Sequence, residues 1–326
     1  MSLSRRKFIG STLKGSAVAL GGLSFLGSTM RAQSEPIRII QNPWSASRAN
    51  AQVAKILLEE EMDMTAEITE LGETPQWAAL ARGEADISQE VWPSGHQERI
   101  QDFIRERGVV EDLGWLGVDG VIGWWANTSF IENNPDAASW KGYQNEDLAG
   151  QLATPETQPR GRFLGGAPSW TQYDEQIIEN LDLYLEKVMA GSEAAMLSDV
   201  EARISRGDPV LFYFWTPHAK HAQLDLTQVK LPQHDELCAW KYGNADQHPE
   251  RIDCGYPVDK LTKIAGQHFQ GKSPQAYTFF SNFQYSSNDD QISMIGAMEF
   301  DGLSVEEAAR QWIENNQDVW QSWIPA

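Results

Sequence analysis

Short apolar runs alternate with stretches of helical period along most of this 326-residue chain. Residues 37–40 (IRII) read as a strand, and 45–61 place Val53, Ile56 and Leu57 on one helical face, with Ser45 or Ser47 as cap. Residues 66–71 form a second strand. Thr74-Pro75 opens a helix whose Trp77, Leu80 and Ala81 share a face, and Gly83 stops it. Residues 86–92 are extended, Pro93 starts a helix carrying Ile100, Phe103 and Ile104, and 118–125 form another strand. Residues 127–143, rich in Asn, Pro and Asp, read as loop. After a tight turn at Gly165-Gly166-Ala167-Pro168-Ser169, residues 171–183 place Tyr173, Ile177 and Leu181 four apart on a helix. Residues 192–206 are helical, 209–215 (PVLFYFW) are a buried strand, and 303–323 carry the stripe Ala308, Trp312, Val319 and Trp323. Strand–helix alternation throughout predicts an α/β chain with mostly parallel sheets, and the length suits two lobes.

The first 32 residues do not belong to that pattern. Ser4-Arg5-Arg6-Lys7-Phe8-Ile9 carries the paired arginines of a twin-arginine export signal, followed by a short Gly/Ser-rich apolar run and Met30-Arg31-Ala32. Export to the periplasm with cleavage near Ala32 is the expectation. Residues 1–32 hold five bases and no acid, so their removal takes the net charge from −20 to −25. Such acidity excludes nucleic acid and anionic membrane as partners, because both require a concentrated positive field. An oxidising compartment would pair the two cysteines, Cys238 and Cys254.

Thirteen tryptophans are the distinctive count. Trp77, Trp115, Trp140, Trp312, Trp320 and Trp323 read as packing, and Trp240 is unassigned. The other six stand at strand ends: Trp44 after the first strand, Trp92 before Pro93, Trp124 and Trp125 together, Trp170 after the Gly/Pro turn, and Trp215 before Thr216-Pro217. Strand ends face the ligand crevice in open α/β sheets. Indole faces are electronegative and attract a poorly hydrated cation, each for about 0.5–2 kcal/mol. Three or four around one quaternary ammonium approach the roughly 8 kcal/mol of a micromolar complex.

The segments Glu90-Val91-Trp92-Pro93, Gly166-Ala167-Pro168-Ser169-Trp170 and Phe214-Trp215-Thr216-Pro217-His218 resemble the three aromatic segments of the glycine betaine/proline betaine-binding proteins of ABC transporters, and residues 77–87 resemble that family as well. The resemblance implies a type II-like periplasmic binding protein of two α/β lobes, working with a membrane permease. It implies a cage of Trp92, Trp170 and Trp215, joined by Trp44 and by Trp125 (or Trp124). A zwitterionic ligand also needs donors for its carboxylate. Thr171 and Gln172, at the start of the helix expected after Trp170, are the first choice; His218 and Ser45 are the others. Choline-type sites of related binders set an acid beside the early Trp; here Ser45 and Ala46 stand there, which weakens the choline reading, and the helix start expected after Trp170 puts glycine betaine first.

The expected organisation is therefore a signal at 1–32, one lobe at 33–121, the second lobe at 122–221, and a return to the first lobe at 222–326, with a monomeric product. The alternative classes are an exported enzyme and a sugar binder. The chain has no C-x-x-C, H-E-x-x-H, G-x-S-x-G or G-x-G-x-x-G motif, and the tryptophan junctions are poor in the Asp, Asn and Arg that surround sugars. His218, His221 and His234 are too weak a set to predict a metal, and no catalytic residue or cofactor is expected. Choline, trimethylamine N-oxide, carnitine and dimethylsulfoniopropionate satisfy the same cage logic.

Overall fold

The computed structural model describes residues 35–325; the export signal expected at 1–32 lies outside them. Nine strands form one continuous sheet: β1 (Ile37–Gln41), β2 (Ala66–Glu70), β3 (Ile87–Val91), β4 (Val110–Asn127), β5 (Gly161–Gly165), β6 (Leu185–Met189), β7 (Leu211–Thr216), β8 (Leu226–Val229) and β9 (Val258–Gly266). Their order is β2-β1-β3-β9-β4-β7-β5-β6, with β8 beside β4.

The sheet has two halves. In the first, β1 runs parallel to β2 and β3. In the second, β5 runs parallel to β6 and β7. The expectation of a mostly parallel sheet fails between them. There β9 is antiparallel to β3, and β4 is antiparallel to β9, β7 and β8. The cause is β4, an 18-residue strand that serves both halves. It pairs with β9 up to Val121 and with β7 from Val121 onward, so this residue has Val258 on one side and Thr216 on the other. Two register shifts, between Asp112 and Trp115 and between Trp115 and Asp119, break its pairing with β9.

Most elements lie where periodicity puts them. The helix Ser45–Glu60 buries Val53, Ile56 and Leu57, and Glu193–Ser205 is capped by the Ser192 hydroxyl. Three expectations change. Residues 127–143 are not loop but three short turns of helix, Thr128–Asn133, Pro135–Ala138 and Trp140–Gln144, each too brief to show a period. The cap residue before Ser45–Glu60 is Trp44, because the Ser45 and Ser47 side chains bond elsewhere. The helix expected at 171–183 is only Asp174–Asn180. Its entry is held back as Gln172 folds onto the preceding turn, accepting from the Gly166 amide at 2.7 Å and donating to the Ala167 carbonyl at 2.9 Å.

Cys238 and Cys254 are joined by a disulfide, with their Cα atoms 6.2 Å apart. The bridge closes the segment that stacks Tyr242 on Tyr173, ring centres 4.6 Å apart. A loop of this length predicts that Cys238→Ser with Cys254→Ser loses about 3 kcal/mol. Urea unfolding of the double variant checks this; an unchanged midpoint would show that packing alone holds the segment.

Candidate functional site

A small cavity, about 20 Å³ in volume, lies where the two halves of the sheet meet, lined by Trp44, Glu73, Trp92, Ile122, Trp170, Tyr213 and Trp215. Each half contributes. Trp44 follows β1, Trp92 directly follows β3, Trp170 follows the turn after β5, and Tyr213 and Trp215 lie in β7. Ile122 sits on β4 one residue past the switch of partners. All four tryptophans are buried, between 4% and 8% exposed. Trp170 meets Trp215 edge to face at 5.1 Å and 89°, and Trp44 at 6.2 Å and 89°. In each pair the edge of one ring meets the face of the other, which holds the rings beside the cavity at fixed and different orientations.

Two glycines make room for these rings. A Cβ on Gly120 of β4 would collide with the Trp92 ring, and one on Gly166 with the ring of Trp170. These are close approaches that only glycine tolerates.

The indole N–H groups of Trp44 and Trp92 turn to one acceptor. Both donate to Glu90 Oε1, at 2.7 and 3.2 Å, while Asn50 and Gln291 donate to Oε2 at 2.7 and 3.1 Å. Glu90 is the penultimate residue of β3 and is 1% exposed. Burial pushes its carboxyl up to about 7, against the four hydrogen bonds that favour the ionised form. Asp86, at the other end of this segment, shows the opposite balance. Burial would raise it, but Arg38, Lys272 and His268 hold it down to about 2.

The residues expected to take a ligand carboxylate are engaged elsewhere. The Thr171 amide donates to Glu73 Oε2 at 2.7 Å, so it bridges the halves instead of opening a helix. Gln172 is bound into its turn, as above. Ser45 donates from both its amide and its hydroxyl to Glu193 Oε2, each at 2.8 Å. His218 Nδ1 accepts from the Lys220 amide at 3.1 Å, which places the ring proton on Nε2, 3.1 Å from Glu193 Oε1. None of the four lines the cavity. Trp125 does not line it either: its side chain is on the β4 face opposite to Ile122, with its ring centre 4.5 Å from that of His221. Trp124 is core, packed on Phe163 at 4.5 Å and donating to Asp174 Oδ1 at 2.7 Å. His221 and His234 bond to the carbonyls of Trp215 and Gly255. The cluster His234, Cys238 and Cys254 offers no thiolate to a metal, because its cysteines form the disulfide.

Glu73, Glu90, Tyr213 and Ile122 are the contributors that sequence reasoning missed. The signal available for Tyr213 was its spacing, two residues before Trp215 on a predicted strand and hence on the same face. Glu90 stood within a quoted motif, but nothing local marks a carboxylate as the partner of two distant indoles.

Glu90 predicts a pH dependence. A cation held against Trp44 and Trp92 favours the ionised carboxylate behind them, so affinity rises as pH climbs through about 7. The protein's own stability runs the other way: a carboxyl raised in the folded state stabilises most below its unfolded value near 4.5, and this contribution is lost as pH rises toward 7. Titration calorimetry with tetramethylammonium between about pH 5.5 and 8 reads the first effect. Glu90→Gln is expected to flatten the profile, and an already flat wild-type profile would remove Glu90 from the binding energetics.

Comparisons with known proteins bear on the family and the fold. The family model described as the substrate-binding domain of the ABC-type glycine betaine transport system matches residues 35–315. A trimethylamine N-oxide-binding protein of Pelagibacter ubique (strain HTCC1062) is 26% identical over 318 residues, spanning 94% of this chain and 96% of the relative. A glycine betaine/proline betaine-binding periplasmic protein of Salmonella typhimurium is 26% identical over 173 residues, 50% of this chain and 51% of its own length. Among solved structures, lactococcal OpuAC, closed and complexed with glycine betaine, superposes with a TM-score of 0.69 at 18% identity, covering 89% of this chain and 99% of that one. A choline-binding ABC-transporter protein in complex with choline gives 0.68 at 18% identity, over 88% and 91%. These likenesses share the two-lobed α/β binding-protein fold. The chain belongs to the family of substrate-binding domains of ABC-type glycine betaine transport systems.

Proposed function

We propose that this protein captures a small methylated onium solute outside the cytoplasm and delivers it to the permease of an ABC importer, without chemical change to the solute. The observation that carries this reading is the set of four buried tryptophans around one cavity, two from each half of the sheet. At about 0.5–2 kcal/mol per indole face, four faces supply about 2–8 kcal/mol, which reaches the roughly 8 kcal/mol of a micromolar complex at its upper end. A methylated cation also gives up little hydration on entry, since it has no N–H to hydrogen-bond with water. The names of the relatives, binders of trimethylamine N-oxide and of glycine betaine, fall in the same chemical class.

In this reading the halves of the sheet are the two lobes, and the solute closes them by joining walls from both sides. The crossing proposed near residue 122 is supported by the switch of partners at Val121. The return fits better after Val229 than at 222, because β8 still pairs with β4 of the second half. Two carboxylates span the closed cleft. Glu193 accepts from Ser45, and Glu73 accepts from Thr171. Export through the twin-arginine signal at residues 1–32 and action as a monomer complete the proposal.

Titration calorimetry against tetramethylammonium, choline, trimethylamine N-oxide, glycine betaine and maltose tests it. Saturable binding of at least one methylated onium and none of maltose is expected. Trp92→Ala and Trp215→Ala should each lose about tenfold or more in affinity, the value of one face, with a melting temperature close to wild type. If no onium binds, the proposal fails. If a variant unfolds while its folded fraction binds normally, that tryptophan belongs to the core and not to the cage.

A further inference from the structure

The polar end of the cavity carries a charge of unexpected sign. Of the residues that line it, Glu73 is the one acid, and no Lys, Arg or His is among them. Burial raises the Tyr213 hydroxyl well above its ordinary value, so it remains a neutral group. Glu73 is 8% exposed and opens the helix Glu73–Ala81. Its Oε2 accepts the Thr171 amide at 2.7 Å and lies 3.5 Å from His96 Nε2. Oε1 has no hydrogen-bond partner among the described residues. The other feature is a donor: the Trp170 indole N–H is buried and has no partner.

These groups distinguish among methylated cations. A carboxylate buried beside a cation acts as its counter-ion. The same carboxylate opposes any ligand that brings a second carboxylate into this small, largely buried space, where charges are less screened than in water. Glycine betaine, carnitine and dimethylsulfoniopropionate each carry such an anion, and the lining offers it no basic side chain. The four groups once expected to receive that anion are engaged with Glu73, Glu193 and the turn at Gly166. An alcohol or an N-oxide needs far less. A hydroxyl can donate to Glu73 Oε1, and a single N-oxide oxygen can accept from the Trp170 N–H.

We propose that Glu73 makes this cage selective for methylated ammonium solutes that lack a carboxylate, a choline-type alcohol or a tertiary amine N-oxide, over carboxylate-bearing zwitterions such as glycine betaine. The inference rests on the onium-cage reading and adds the member of the class. His96 is a positioning residue in this scheme. It is 1% exposed, lies behind Glu73, and packs against Trp77 at 5.7 Å.

Competition calorimetry on the purified chain at one pH and ionic strength tests the idea, with choline, trimethylamine N-oxide, glycine betaine and glycine betaine methyl ester as probes. Wild type is expected to bind choline or trimethylamine N-oxide at least about tenfold more tightly than glycine betaine, and whichever leads identifies the polar end. The methyl ester, with its anion removed, should outbind glycine betaine itself. Glu73→Gln should shrink the preference at least about fivefold while the protein still melts cooperatively. The ester comparison needs no variant, so it stands even if Glu73→Gln folds poorly. Equal or tighter binding of glycine betaine by wild type would overturn the inference and leave the cage intact, as would a Glu73→Gln variant that weakens every probe by the same factor. Failure of all four probes would instead sink the cage reading beneath it.

Discussion

The structure is organised by a requirement that indole chemistry imposes. A buried ring keeps its face free at least cost when its N–H and its edge are accommodated elsewhere, because a buried unpaired donor is costly and a misplaced edge fills the space. Glu90 meets the first demand for two rings at once, taking the N–H groups of Trp44 and Trp92 on one oxygen. Gly120 and Gly166 meet the second by giving up their side chains to the rings of Trp92 and Trp170. The long strand β4 carries part of the second answer. It brings Gly120 and Ile122 to the point where the halves join, so that one strand backs the first-half wall and lines the cavity itself.

Carboxylates serve three different ends in this acidic chain. Asp86 is matched by three basic side chains and holds the start of β3 in place. Glu90 is matched only by neutral donors, so its charge is paid for by four hydrogen bonds and lies within reach of a neighbouring cation's field. Glu193 and Glu73 cross between the halves and receive backbone amides, Glu193 from the first residue of the helix Ser45–Glu60. An acid at a helix start is favoured by the exposed N–H groups there. For Glu193 that preference also ties two parts of the sheet together, and His218, donating to its other oxygen, fixes its orientation.

The tryptophan walls were legible because two simple rules coincide. Strands could be found from apolar runs, and a tryptophan at the end of a strand points toward the crevice of an open sheet. Trp44, Trp92, Trp170 and Trp215 follow those rules. Trp125 broke them because β4 runs past its expected end to Asn127, so that Trp124 and Trp125 lie within a strand and not at its tip. The expected helix at 171–183 looked sound from the spacing of Tyr173, Ile177 and Leu181, yet the amide of Thr171 goes to Glu73 and that of Tyr173 to the Tyr256 hydroxyl. Tertiary partners outbid the local pattern. The polar contributors were illegible for the same reason: Glu73 joins Thr171 across 98 positions and Glu90 joins Gln291 across 201, and no local window contains such a pair.

The division of labour between walls and floor follows from how each force depends on geometry. Cation–π attraction varies slowly over an indole face and is nearly indifferent to what hangs from the far side of the cation. Four tryptophans therefore define a chemical class and cannot by themselves choose within it. Discrimination requires an interaction that changes sign between competing ligands, and a buried charge does so. In the proposed cage Glu73 would attract the ammonium end of every candidate and would repel the carboxylate that some of them bring with it. A cage of this kind can keep the same tryptophan walls and change its ligand through one carboxylate. That carboxylate opens the helix Glu73–Ala81 and lies outside each of the aromatic segments, which is why the aromatic motifs identify the family more readily than they identify the solute.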